Sequence, residues 1–196
     1  MNRRLIAAVV AGLALVTVSC STPNESLAEQ YQNGSEEGYI SGDGSTVEIP
    51  VSNRDEPVTY EATLDTGETV SSSDFDGSVY VVNFWYSSCP PCRLEAPDLA
   101  ALSVEYPDVP FLGVNVSDTA ETSRTFASDF AVPYASVVDA KTAGVQLAFA
   151  GSVPPNAVPT TLVVDSKGRV AARISGLVRD PSILAAMMDS VIAEDQ

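Results

Sequence analysis

Val82-Asn83-Phe84-Trp85-Tyr86-Ser87-Ser88-Cys89-Pro90-Pro91-Cys92-Arg93-Leu94-Glu95-Ala96-Pro97 is the stretch that decides the fold. Its first four residues end a near-continuous apolar run from Ser78 to Trp85, which predicts a central strand buried on both faces. The run stops at Ser87-Ser88-Cys89, where a helix is expected to begin, with Leu94, Pro97, Ala101 and Val104 at helical spacing. Pro97 costs that helix one backbone hydrogen bond and predicts a kink. Cys89 and Cys92 therefore stand where a buried strand gives way to a helix. A helix N-terminus carries about half a positive charge from aligned peptide dipoles. A thiolate placed there is stabilised, and its pKa falls below the free value of about 8.5. Two intervening residues let both sulfurs meet within one turn. Cys89 is the expected attacking thiol and Cys92 the resolving one. The other reading of the pair is a structural disulfide that staples a turn.

Outward from this segment, Phe111 to Val116 predicts a second buried strand. Asp118-Thr119-Ala120-Glu121 reads as an N-cap with an acid three residues on, opening a helix to about Phe130. Ser136 to Asp139 is a short strand candidate and Ala143 to Ala150 a short helix. Thr161 to Val164 and Val170 to Ile174 flank Asp165-Ser166-Lys167-Gly168, a hairpin. Asp180-Pro181 opens a last helix with Leu184, Met187, Met188 and Val191 as its buried stripe. Before the central strand, Val58 to Leu64 alternates as a strand and Asp65-Thr66-Gly67 is a turn. This order predicts a three-layer α/β sandwich.

Composition excludes several functions. The 196 residues hold 10 Lys plus Arg against 26 Asp plus Glu, a net charge of −16, which argues against nucleic-acid binding. There is no His, so no Ser-His-Asp triad, Cys-His protease pair or His-ligated metal site. Three Cys cannot furnish a four-thiolate site, and Arg93 stands where c-type haem attachment needs His. No cofactor and no metal is implied.

The N-terminus reads as a processing segment. Arg3 and Arg4 precede an uncharged, mostly apolar stretch of 14 residues, Leu5 to Val18. That is shorter than the ~20 residues of a bilayer span and suits a secretory signal. Thr17-Val18-Ser19-Cys20 resembles the lipobox of bacterial lipoproteins, with Thr17 where Leu is usual. The resemblance implies a signal peptide over residues 1–19, lipidation of Cys20, and a domain outside the cytoplasm, where disulfides persist. Residues 20–56 read as an acidic flexible linker, because residues 21 to 60 hold eight acids and one base, Arg54. The folded domain is then expected over residues 57–196.

The segment Val82 to Pro97 is similar to the active-site segment of the membrane-tethered, thioredoxin-like TlpA/ResA family, and the likeness extends from about Val58 to Ala193. It implies a thioredoxin fold with a mixed central sheet, an N-terminal β-hairpin and a central insertion. The implied activity is thiol–disulfide exchange through Cys89 and Cys92, with Glu95 handling protons for the pair. Val158 and a cis-Pro159 would pair with the client chain; Pro133 and Pro155 are the other candidates for a cis bond. Trp85 is a further candidate client contact, although Phe84 and Trp85 are also expected in or beside the core. Relatives commonly carry Trp before the first Cys; Ser88 stands there, which predicts a more open sulfur. The implied partners are disulfide-containing exported proteins such as apocytochrome c, a membrane thiol electron donor, and the membrane itself through the lipid anchor. A non-catalytic binding lipoprotein with a permanent disulfide is the alternative from another class, and peroxidase activity is a weaker third.

Overall fold

A computed structural model describes residues 45–153 and 157–195. A central sheet of six strands runs in the order β1-β8-β7-β4-β5-β6. Its members are β1 (Thr46–Glu48), β4 (Tyr80–Trp85), β5 (Phe111–Asn115), β6 (Ser136–Val138), β7 (Thr160–Val164) and β8 (Val170–Ser175). β4, β5 and β6 are parallel, while β7, β8 and β1 add antiparallel. A separate hairpin pairs β2 (Glu61–Thr63) with β3 (Thr69–Ser71). The helices are α1 (Pro90–Glu105), α2 (Ala120–Asp129), α3 (Gly144–Ala148) and α4 (Pro181–Glu194). The expected three layers, mixed sheet and N-terminal hairpin are all present.

β4 shows why the sheet lies at the centre. All six of its residues are buried, and successive side chains serve opposite faces. Tyr80, Val82 and Phe84 join Leu112, Leu162, Tyr60 of the hairpin side and Phe149 beyond α3. Val81 packs on the other face with Leu99 and Leu102 of α1 and with Leu184, Met187, Met188 and Val191 of α4. The predicted stripe of the last helix is thus the buried one. Asn83 and Trp85, on this second face, line the space beside Cys92 instead. Pro97 lies inside α1.

Two expectations are corrected. Residues 46–56, read as part of the linker, belong to the domain. β1 pairs with β8 along Thr46 to Glu48. Arg54, the one base among those eight acids, is buried: its guanidinium binds Asp165 at 3.1 Å, Glu194 of α4, and the carbonyl of Ile49 at 2.9 Å. A three-residue edge strand needs only backbone partners, so no apolar run announces it. The signal segment, Cys20 and the rest of the linker lie outside the described residues. The second correction concerns α2, whose N-cap is Thr119, not Asp118; its hydroxyl accepts from the Thr122 N–H.

The β7–β8 turn carries a fully satisfied carboxylate. Asp165 accepts from the backbone N–H of Lys167 and Arg169 and from both guanidinium side chains, Arg54 and Arg169. Burial alone would raise its pKa, but the Arg169 and Arg54 hydrogen bonds hold it below the usual carboxylate range.

Candidate active site

β4 ends at Trp85, and Tyr86, Ser87 and Ser88 carry the chain to Cys89, the N-cap of α1. Pro90 and Pro91 fill the first two helical positions, where a missing N–H removes no intrahelical bond. Cys89 and Cys92 form a disulfide, with their Cα atoms 5.3 Å apart. The N–H of Cys92 donates to Cys89 Sγ at 3.2 Å. This is the donor that a Cys89 thiolate would use, at the positive end of the helix.

Both sulfurs are covered in the oxidised form, with Cys89 1 % and Cys92 2 % exposed. Ser88 is itself exposed, so its small side chain does not open the sulfur as expected. The cover comes from other elements: Trp85 and Ala96 pack on the cysteines with Phe126 of α2, and Tyr86 and Val158 close over this cluster. Trp85 is 5 % exposed, its ring 4.3 Å from that of Phe126 and its Nε1 donating to Ser136 Oγ. It is a core residue with too little surface to serve as the expected client contact. Gly113 permits this packing, since a Cβ there would meet Ser136 Oγ at 2.1 Å.

The Val158–Pro159 peptide is cis, as the resemblance implies. Pro159 is held from behind by the Gly176 N–H on its carbonyl at 2.8 Å. Val158 lies beside the cysteines and also borders a groove of about 540 Å³ lined by Phe84, Tyr86, Val116, Leu147 and Val153. Leu147 projects from the short helix α3, 70 % exposed.

Glu95 is one turn beyond Cys92 and is 1 % exposed, not a solvated helix carboxylate. Its Oε1 accepts from Asn83 Nδ2 at 2.9 Å and its Oε2 from the Val178 N–H at 2.9 Å. Asn83 is fixed in turn by Thr161 Oγ1 at 3.0 Å. Burial pushes the Glu95 pKa up to about 7, against the pull of the Val178 and Asn83 hydrogen bonds. A buried carboxyl poised there can exchange a proton at neutral pH. A cavity of about 10 Å³, space for one water, lies behind Cys92 between Asn83, Tyr134 and Ser136. Among the described residues no group of acids and cysteines is arranged to hold a metal ion.

A family model described as the AhpC/TSA family matches residues 55–173. The chain belongs to this family. Among its relatives are the thiol:disulfide interchange protein HelX of Rhodobacter capsulatus, 32 % identical over 60 % of this chain and 63 % of HelX, and the thiol-disulfide oxidoreductase ResA of Halalkalibacterium halodurans, 27 % identical over 53 % of this chain and 57 % of that protein. The match to both spans less than two thirds of their length. Solved structures agree more fully. A DsbF homologue from Corynebacterium diphtheriae superposes with a TM-score of 0.67 at 27 % identity, covering 78 % of this chain and 96 % of its own. A secreted thiol-disulfide isomerase from Corynebacterium glutamicum gives 0.68 at 28 % identity, covering 79 % and 99 %. The expected thioredoxin-like fold is thereby established.

The fold sets Cys89, Cys92 and Glu95, all expected from the sequence, at the start of α1, and Pro159 follows a cis bond. The supports were missed: the hydrogen bond from Asn83 to Glu95 left no signal in the sequence. The Val178 N–H lies 83 residues from Glu95 and left no signal.

Proposed function

We propose that the chain is an exported, lipid-anchored thiol–disulfide oxidoreductase that reduces disulfides of other exported proteins. The observation that carries this reading is the Cys89–Cys92 bridge at the start of α1, with the Cys92 N–H on Cys89 Sγ and Glu95 buried one turn on. In the reduced form the Cys89 thiolate attacks a client disulfide, joining one client sulfur and releasing the other as a thiolate. Cys92 gives its proton to Glu95 and attacks Cys89 Sγ. The client sulfur that had been joined to Cys89 leaves and takes up a proton, and the Cys89–Cys92 bridge closes. Two electrons pass to the client, and a thiol donor in the membrane returns them. The backbone N–H and C=O of Val158 have no hydrogen-bond partner among the described residues, which suits pairing with an extended client segment. Apocytochrome c, an exported chain with paired cysteines, is the client class we favour. Residues 1–19 would direct export and Cys20 would hold the protein on the outer face of the bacterial cell membrane. No helix among the described residues is long and apolar enough to cross it.

The near-complete burial of both sulfurs supports a second reading, a binding lipoprotein whose disulfide is permanent. Two experiments separate these readings. Cys92→Ala is expected to trap mixed disulfides through Cys89 in cells, and the wild-type pair to equilibrate with a dithiol buffer near −270 mV, about the thioredoxin value. A bridge that never opens, with no trapped partner, overturns the exchange reading; a potential near about −120 mV makes the protein an oxidant instead.

A further inference from the structure

Asp118 lost the N-cap assigned to it from sequence, and its carboxylate is spent elsewhere. It accepts from the backbone N–H of Ser87 at 2.6 Å and from Ser87 Oγ at 2.9 Å. Asn115, the last residue of β5, braces it from the other side: Asn115 Nδ2 donates to Asp118 at 2.9 Å, while Asn115 Oδ1 accepts from the Ser117 and Asp118 N–H groups. Ser87 is two residues before the nucleophile. Its carbonyl accepts from Arg93 at 3.1 Å, and the Cys89 N–H closes the same turn on Tyr86 at 3.2 Å. The Arg93 guanidinium is itself seated on the Phe130 ring, 4.8 Å from its centroid. Every polar group of Ser87 is thus tied down, two of the three by one carboxylate in the loop after β5.

We infer that Asp118 is a positioning residue for the exchange reaction: it fixes the Tyr86–Cys89 turn so that Cys89 Sγ lies on the Cys92 N–H. This inference rests on the exchange reading above. Two effects oppose each other. A carboxylate near the turn disfavours a thiolate through space, but this one is already matched by three donors. The fixed turn favours the thiolate through a direct contact at 3.2 Å, and a hydrogen bond to a charged acceptor at contact distance outweighs a compensated charge further away.

The test is the pH profile of Cys89 alkylation in the reduced full-length protein, read on the Cys89 peptide by mass spectrometry so that Cys20 does not interfere. Asp118→Ala is expected to raise the apparent pKa of Cys89 by about half a unit, roughly a threefold loss of thiolate. Ser87→Ala keeps the backbone contact and gives a smaller rise. Asp118→Asn keeps an amide oxygen to accept from the Ser87 N–H and from Asn115 Nδ2, and is expected to raise the pKa less than Asp118→Ala. An unchanged pKa in Asp118→Ala, even with a lowered melting temperature, overturns the inference, because the contact is then only structural. A fall in the pKa also overturns it, since Asp118 would then act by charge alone. If wild type itself cannot be reduced and reoxidised, it is the exchange reading that fails.

Discussion

The two ends of the molecule each bury a carboxylate, and they treat it in opposite ways. At the β7–β8 turn, Asp165 faces two guanidinium groups and is held ionised. At the cysteine end, Glu95 is equally buried but receives only neutral donors, an amide side chain and a peptide N–H. Neutral hydrogen bonds satisfy its oxygens without repaying the loss of water around a charge. The cation makes Asp165 a fixed brace; its absence makes Glu95 a group that titrates near pH 7. The difference lies in the set of donors, which for Asp165 adds two guanidinium groups to the backbone N–H of Arg169.

The brace should break hardest. Arg54 joins the segment before the hairpin to the β7–β8 turn and to α4 at once. Arg54→Met leaves Asp165 with one guanidinium and removes the clamp on Glu194. The expected loss is at most about 3–5 kcal/mol, the range for leaving a buried charge unpaired, because Arg169 stays on Asp165; it is measured as a fall in the urea midpoint at pH 7. The sign with pH follows from Asp165. Its folded pKa lies below its unfolded one, so the bridge stabilises above about pH 4 and is lost as pH falls further. The deficit of Arg54→Met should therefore shrink in acid. The rate at which Cys89 reacts should not change, because this network does not touch the cysteines. A pH-independent deficit would mean that Arg54 acts by packing alone.

Glu95 should show the reverse window. Its folded pKa of about 7 exceeds the ordinary value of 4.5. Below pH 4.5 both states are protonated; between 4.5 and 7 only the folded state holds the proton, so stability falls as pH rises. Glu95→Gln removes that decline. Above pH 7 the variant is expected to exceed wild type by on the order of 3 kcal/mol, as 2.5 pKa units correspond to at 1.36 kcal/mol each. The gain is measured as the difference in urea midpoints across pH 4 to 8, with both proteins oxidised. The same variant should resolve mixed disulfides more slowly, because Cys92 loses its proton acceptor. A stabler but slower protein is the signature of a residue kept for chemistry at a cost to the fold.

How much of this was legible depends on the range of each interaction. The β4 run, the Cys89 cap and the stripe of α4 are local patterns, and each appears where the sequence places it. Glu95 was legible because it lies three residues from Cys92 on one helix. Arg54 and Asp165 are 111 residues apart, and an Arg within an acidic stretch reads as solvated. Asp118 misled for another reason. An Asp-Thr pair offers two capping oxygens in adjacent positions, and only the approach of Ser87, 31 residues away, decides which of them caps.

The finest test of the comparison alters a neutral donor. Asn83 gives Glu95 one of its two hydrogen bonds and carries no charge, so Asn83→Leu leaves every formal charge in place. The ionised form of Glu95 then keeps only the Val178 N–H. A hydrogen bond to a charged acceptor contributes about 1.5–3 kcal/mol, which corresponds to about one to two pKa units. The pH at which resolution by Cys92 switches on should move upward by up to that amount, read from the pH profile of mixed-disulfide decay. A downward shift would mean that Asn83 opposes ionisation. No shift would place the control of Glu95 in its burial alone, and the contrast with Asp165 would then rest on water exclusion and not on the identity of the donors.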